Sequence, residues 1–327
     1  MRILVTGSAG HLGEGLMRRL AEGPHEAVGL DVKGSAYTHV VGSIADPEVV
    51  AAAMEGVDAV LHTATLHKPH VGTHRRQDFV DTNITGTLTL LEKAVRTGVS
   101  AFVFTSTTSA FGGALTPPPG EPAAWIDETV RGVPKNIYGV TKTAAEDLCE
   151  LFHRRHGLPC LVLRTSRFFP EEDDNRERRA RYADANAKAN EFLFRRVDLA
   201  DAAEAHLCAL DRAAEIGVGR YIISATAPFT RADLPDLRSA PASVVARLYP
   251  GFEQLYAGLG YRMFDEIDRV YDNAKARQEL GWTPLYDFAR VLDQLSRGEP
   301  IGSPLARDVG SKGYHDTVFE DGPYPVD

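Results

Sequence analysis

The stretch Met1-Arg2-Ile3-Leu4-Val5-Thr6-Gly7-Ser8-Ala9-Gly10-His11-Leu12-Gly13 sets the reading of this 327-residue chain. An apolar, β-branched run breaks into three glycines spaced by three, which predicts a strand, a tight turn and the start of a helix. Gly7, Gly10 and Gly13 at such a junction permit close backbone approach by a pyrophosphate, whose charge a helix N-terminus stabilises. An ordinary strand–helix turn can carry the same glycines, so the surrounding pattern has to decide.

That pattern favours a dinucleotide. Short apolar runs alternate with longer helical ones well beyond the first turn, the mark of βαβ units and a parallel sheet. Strands are expected at 3–6, 27–31, 59–62, 102–106, 160–164 and 221–224. Right-handed crossovers then give an α/β fold with a doubly wound, Rossmann-type parallel sheet that binds ligands beyond the strands' carboxyl ends. The second strand ends in Asp31, about 20 residues along as the dinucleotide fingerprint requires. A carboxylate there accepts a ribose 2′-hydroxyl and repels a 2′-phosphate, which points to NAD over NADP, while the nearby Lys33 works the other way.

Bulk properties remove several classes. With 43% hydrophobic residues and no long apolar run, the chain reads as neither membrane-spanning nor disordered. A net charge of −9 without a lysine–arginine block argues against nucleic acid. Cys149, Cys160 and Cys208 lack metal-type spacing and read as reduced, buried thiols. The first strand starts at residue 2, leaving no room for a signal peptide, so a cytoplasmic location is expected.

A second constellation stands far downstream. Ile137, Val140, Ala144, Leu148, Leu151 and Phe152 recur at helical spacing until Gly157-Leu158-Pro159, and Tyr138 and Lys142 sit one turn apart on that helix. A free phenol has a pKa of about 10, too high for a base at neutral pH. An ammonium one turn away and a positive nicotinamide ring both favour the phenolate, so Tyr138 can take an alcohol proton as hydride leaves the same carbon. The alternative is an exposed pair with no chemistry.

At this point the sequence resembles a family, the extended short-chain dehydrogenase/reductases or NAD-dependent epimerase/dehydratases, nearest to the UDP-glucose/UDP-galactose 4-epimerase-like members. The resemblance rests on Gly7-x-x-Gly10-x-x-Gly13, Asp31, Asp46, Asn83-Ile84-Thr85-Gly86-Thr87, the 105–112 segment, Tyr138 with Lys142, Asp272-x-x-Lys275 and Leu280-Gly281-Trp282-x-Pro284. It implies that Tyr138, Lys142 and Thr107 are catalytic, with Ser106 or Thr108 replacing Thr107 if the register shifts by one. It further implies cofactor contacts from Gly7, Gly10, His11, Leu12, Gly13, Asp31, Thr63, Ala64, Asn83, Thr105 and Ser106, with Asp46 and Ile44 flanking the adenine and Lys142 on the nicotinamide ribose. A homodimer through helices around 74–97 and 136–156 is implied in the same way.

Differences from the family narrow the chemistry. Dehydratases of this kind place Asp-Glu after the active-site threonine, where this chain has Thr108 and Ser109, which argues against elimination. Arg167 replaces an asparagine that in the epimerases meets the nucleotide-sugar diphosphate; it can clamp phosphate, bind a carboxylate bidentately, or serve a structural salt bridge. Thr108, His67 and Lys68 are expected at the substrate. His67, His70 and His74 also have spacings that suit a metal, but no local carboxylate or cysteine completes a set, and no metal is expected. Arg176, Arg178, Arg179 and Arg181 follow acidic residues and read as a solvated, self-paired loop.

Residues 1–165, with 195–225 returning to them, are expected to bind NAD. Residues 166–194 and 226–327 are expected to form a smaller substrate lobe and an irregular tail, draped from residue 298 over a surface or a neighbouring subunit. The leading functional expectation is NAD-dependent oxidation of a secondary alcohol on a sugar or sugar nucleotide, with 4-epimerisation as the outcome. The alternatives are net dehydrogenation of a sugar acid or hydroxy amino acid anchored by Arg167, and a non-catalytic NAD sensor.

Overall fold

In the computed structural model of the chain, seven parallel strands form one sheet in the order β3-β2-β1-β4-β5-β7-β8. They are β1 (Arg2–Thr6), β2 (Glu26–Asp31), β3 (Val40–Val41), β4 (Ala59–His62), β5 (Ala101–Thr107), β7 (Cys160–Thr165) and β8 (Val218–Ile223). A separate parallel pair joins β6 (Ala124–Ile126) to β9 (Arg269–Tyr271). The structure describes residues 1–315 together with Phe319, Glu320, Gly322 and Tyr324.

The pleat divides each central strand between two cores. Ile3, Val5, Val103, Leu161 and Leu163 face the helices His11–Ala21 and Leu199–Ile216. Leu4, Phe102, Phe104 and Val162 face Pro47–Ala53, Gly86–Thr97 and Ile137–His156. Both faces are covered, so the strands read as continuous apolar runs rather than alternating ones. The strand order reverses between β1 and β4, and the crevice beyond their carboxyl ends is where such sheets bind ligands.

A third apolar core gathers residues from Tyr182, Phe192 and Phe194 through Phe252, Phe264 and Phe288, beside the β6–β9 pair. The late Leu280-Gly281-Trp282-x-Pro284 motif has a structural purpose. Trp282 is fully buried and its indole N–H donates to the Asp201 carbonyl at 2.9 Å, while the Asp201 carboxylate accepts from Leu285 and Tyr286 backbone N–H groups.

Several expectations are corrected. Beyond residue 298 the chain is not wholly irregular, because Ser303 caps a short helix, Pro304–Val309. The segment 176–181 is not simply a solvated loop: Asn175 caps the helix Arg176–Arg181, and Arg179 donates to the carbonyls of Asp173 and Asp174. Cys149 and Cys160 are buried free thiols, whereas Cys208 is only half-buried. Among the described residues no helix is long and apolar enough to cross a membrane.

Candidate active site

A cleft of about 720 Å³ opens over the carboxyl ends of β1, β2, β4, β5 and β7. At one end it begins with the glycine turn. Gly7 has φ +74°, a left-handed conformation open to glycine, and a Cβ on Gly13 would come 1.9 Å from the Gly7 carbonyl oxygen. The helix His11–Ala21 starts at Gly10 with no side-chain cap, so its first N–H groups remain available to an anion. Asp31 accepts from Ala9 N and Lys33 N, both at 2.9 Å, which fixes its carboxylate at the cleft rim. These features fit the diphosphate and adenosine ribose of a dinucleotide.

Gly7, Gly10, His11, Leu12, Gly13, Asp31, Ile44, Thr63, Ala64, Thr105, Thr107, Thr108, Tyr138, Lys142, His67, Lys68 and Arg167 all line this cleft. Two expected cofactor residues do not. Asp46 is exposed and spends its carboxylate on Glu48 N and Val49 N as the N-cap of Pro47–Ala53, while Ser43 lines the cleft beside Ile44. Asn83 is buried and pins the cleft wall from behind: it accepts from Thr65 Oγ1 and Leu66 N and donates to the Leu66 carbonyl and Thr141 Oγ1. Ser106 reaches the cleft, but its hydroxyl donates at 2.5 Å to Glu146, which does not line it.

The reactive set is buried. Asn136 caps the helix Ile137–His156 through Gly139 N, which presents Tyr138 in the first turn. Burial pushes the Tyr138 phenol up to about 12, and a hydrogen bond from the Thr107 hydroxyl opposes it. Thr107 is itself oriented by accepting from Ser109 N at 3.0 Å. Burial brings Lys142 down to about 7, against the pull of Glu146 and Cys149, and its ammonium lies 4.0 Å from the centre of the Phe104 ring. In the protein alone burial dominates and moves the phenol up, opposite to the expected lowering by Lys142 and the nicotinamide ring together. At neutral pH the resting Tyr138 is protonated.

Behind Lys142, the Glu146 carboxylate is gripped by Arg164 at 2.7 Å, with both side chains buried. On the other flank, His206 bonds Thr105 Oγ1 at 2.7 Å and the Ala202 carbonyl at 2.7 Å. With Nδ1 donating to the carbonyl, Nε2 accepts the Thr105 proton.

Residues 310–315 fold back over the cleft, a surface that the expected draping of the tail had left unspecified. Glu171 binds four donors: the His11 imidazole at 3.0 Å, Ser311 Oγ at 2.7 Å, Lys312 N at 3.2 Å and Tyr314 OH at 3.2 Å. Burial pushes Glu171 up, but His11 and Ser311 outweigh it and bring the carboxyl down to about 2. The Lys312 ammonium pairs with Glu14, and His315 contacts the Pro69 carbonyl. Tyr314 thereby becomes a wall of the cleft, edge-on to His67 and Phe169.

The histidines crowd one another. His67–His70 and His70–His74 ring centres are 4.8 and 4.9 Å apart, and His315 joins at 5.3 Å from His70. Burial and these neighbours hold His67 well below the usual imidazole range and His70 at about 4. Among the described residues no group of three or more potential ligands is placed to hold a metal.

A doubly wound sheet whose switch-point cleft joins a glycine cradle to a buried tyrosine–lysine–threonine set defines an enzyme that works with a nicotinamide dinucleotide. The model of the NAD dependent epimerase/dehydratase family matches residues 3–223, and the chain belongs to that family, with NAD as its cofactor. A UDP-glucose 4-epimerase of Rhizobium meliloti is 27% identical, over 89% of this chain and 94% of that protein. A 3 beta-hydroxysteroid dehydrogenase/Delta 5-->4-isomerase of Mycobacterium tuberculosis is 26% identical, over 90% of this chain and 89% of its own. Among solved structures, a short-chain dehydrogenase/reductase superfamily protein from Agrobacterium tumefaciens with bound NAD shares the fold, with a TM-score of 0.65 at 23% identity, covering 94% of this chain and 97% of that one.

Proposed function

We propose that the chain oxidises a secondary alcohol of a sugar or sugar nucleotide and returns the hydride to the opposite face, as a 4-epimerase does. The observation that carries this reading is the buried Tyr138 phenol, close to the Thr107 hydroxyl and one helical turn from Lys142 in the cleft that begins at the glycine cradle. NAD supplies the hydride acceptor and, for epimerisation, the hydride donor. Tyr138 as phenolate takes the substrate's hydroxyl proton and later gives it back; Thr107 polarises the reacting oxygen; Lys142 binds the nicotinamide ribose. The Ser311–His315 crossing favours a retained cofactor, which suits epimerisation more than release of NADH. The UDP-glucose 4-epimerase relative supports a nucleotide sugar.

A second reading is net dehydrogenation of a carboxylate-bearing substrate, favoured by Arg167 in the cleft wall. We place the reaction in the cytoplasm and in a homodimer packed through helices around 74–97 and 136–156. Residues 166–194 and 226–327 are assigned to the substrate lobe and tail in this reading, with 316–318, 321, 323 and 325–327 outside the described residues.

The test incubates the purified protein with NAD and a panel of UDP-sugars, sugar acids and threonine, following NADH fluorescence and products together. An altered sugar without net NADH is the expected result, and stoichiometric NADH with an oxidised product would select the second reading. Unchanged turnover in Tyr138→Phe would overturn the mechanism in either form.

A further inference from the structure

We infer that His70, packed between His74 and His315, is a proton-operated latch on the strap formed by residues 310–315: the neutral imidazole holds the strap across the cleft, and the charged one releases it. It rests on the reading above that this crossing closes over the bound cofactor, and it states how the crossing is opened.

The first support is hydrogen bonding. The His67 backbone N–H donates to His70 Nδ1 at 3.1 Å, so that nitrogen is an acceptor and the one ring proton is on Nε2. The Tyr314 backbone, on the strap, is close to the same ring. A proton taken from solvent has only Nδ1 to bind. It breaks the bond from His67 and sets two N–H groups against each other, so acid acts on the position of the ring as well as on its charge.

The second support is crowding. The His70 ring centre lies 4.9 Å from that of His74 and 5.3 Å from that of His315, and His74 and His315 are 6.3 Å apart. His315 donates from Nε2 to the Pro69 carbonyl at 2.9 Å and so fastens the strap to the loop that carries His70. A second imidazolium at such spacings repels the first. Among the described residues the nearby carboxylates are engaged elsewhere: Asp78, which faces His74, is bound by Arg75, Asp174 by Lys68, and Glu171 by His11 and the strap itself. On the remaining sides the cluster meets His67, Tyr314 and Phe319, and Lys142 bears on His67 from the reactive helix. None of these supplies a negative charge at neutral pH.

The third support is the build of the strap. Gly310 and Gly313 have φ +61° and +63°, left-handed conformations open to glycine, and they bracket Ser311 and Lys312 as swivel points. The inner residues are tied to Glu171 and Glu14. Burial and its imidazole neighbours hold His70 at about 4, whereas Glu171 stays ionised down to about 2, so mild acid acts on the imidazole attachment and spares the carboxylate one. A protonated His11 tightens the Glu171 end and opposes release. With the strap open, His70 returns toward about 6.5. Closure is therefore complete above about pH 6.5 and weakens toward pH 4, and at about pH 5 the proton on His70 favours the open strap about 30-fold.

The experiment follows the strap rather than turnover. In full-length protein with NAD, exchange of the Lys312 amide, which donates to Glu171 at 3.2 Å, is measured by NMR and corrected for the intrinsic rate of a free amide. Between about pH 8 and about pH 5 its protection should fall about 30-fold, with the amides of β1 as protected as before. His70→Asn keeps an acceptor for the His67 N–H and takes no proton, so its protection should match wild type at the higher pH and stay nearly level. His315→Gln keeps a donor for the Pro69 carbonyl and removes one charge from the cluster, and should lessen the fall. Tyr138→Phe should respond as wild type does, which separates the latch from the redox reading. A chase of bound NADH at both pH values separates it from cofactor retention: faster release in acid, cancelled by His70→Asn, supports both, whereas unchanged release from an opened strap supports the latch and removes its hold on the cofactor. A level wild-type profile, or the same fall in both histidine variants as in wild type, would overturn the inference.

Discussion

The Tyr314 ring stands edge-on to the His67 imidazole, with centres 4.8 Å apart and planes at 72°. Two residues 247 positions apart in sequence therefore make one wall of the candidate site, and His67 in turn faces Tyr138. Residues 312–315 complete the lining of the cleft.

Removing that ring should be felt in catalysis. Tyr314→Ala loses an aromatic pair worth about 0.5–1.5 kcal/mol, so kcat/KM should fall roughly 3–10-fold, mainly through KM. Tyr314→Phe keeps the ring contact and loses only the bond to Glu171, and should retain most of the activity. Equal kcat/KM in wild type and the alanine variant would show that substrate does not touch this wall.

Glu171 ties the crossing segment to the cofactor cradle, since its carboxylate is shared by His11 and Tyr314. Glu171→Gln weakens bonds made to a charged acceptor, and NAD should dissociate on the order of tenfold faster. A fluorescence chase of bound NADH measures the rate directly. An unaltered rate would show that the segment does not hold the cofactor.

Cofactor choice follows from Asp31. With its carboxylate fixed at the cleft rim, Asp31→Ser should relax the preference for NAD over NADP by about tenfold or more, through loss of one charged bond and one repulsion. Comparing dissociation constants for the two cofactors decides it.

The buried pair behind the site sets a stability prediction. Glu146→Ala leaves the Arg164 guanidinium buried without its carboxylate, at a cost of about 3–5 kcal/mol. Denaturant unfolding should show it. Because Glu146 also raises Lys142, a Glu146→Gln variant should move the alkaline limb of the rate profile to lower pH.

Acid should destabilise the fold earlier than carboxylate titration alone would. Burial brings both His70 and His206 down to about 4, against about 6.5 in an unfolded chain. Between these values the unfolded chain binds protons that the folded one does not, so stability is full above about pH 6.5 and falls progressively to about pH 4. His206→Gln should flatten this part of the curve. A melting temperature equally pH-dependent in the variant would remove His206 from the account.

The sheet was legible because its strands are covered on both faces and read as unbroken apolar runs with glycines at their ends. The two-residue β3 and the three-residue β6 and β9 lack that length, and nothing in Val40–Val41 alone distinguishes an edge strand from a turn. Asp46 and Asn83 show why a motif residue is not always a contact residue: an aspartate before Pro47 is an N-cap by local chemistry, and Asn83 acts through the Thr65-Leu66 backbone. Arg195 and Arg269 had no motif to mark them, because all they share is a place in the lining of the cleft, reached from segments far apart in sequence. The cover of the cleft was equally silent, since its bonds run from Lys312 to Glu14 across 298 positions.

That separation has a consequence for biogenesis. The glycine turn and its helix leave the ribosome about 300 residues before Ser311, Lys312 and Tyr314. A nascent chain can build the cradle and, later, the tyrosine, yet the carboxylate of Glu171 then has His11 alone of its four donors until translation has passed Tyr314. If the dissociation test bears out the hold of Glu171, tight capture of the dinucleotide requires residues as late as Tyr314 and is not a property of the first βαβ units alone.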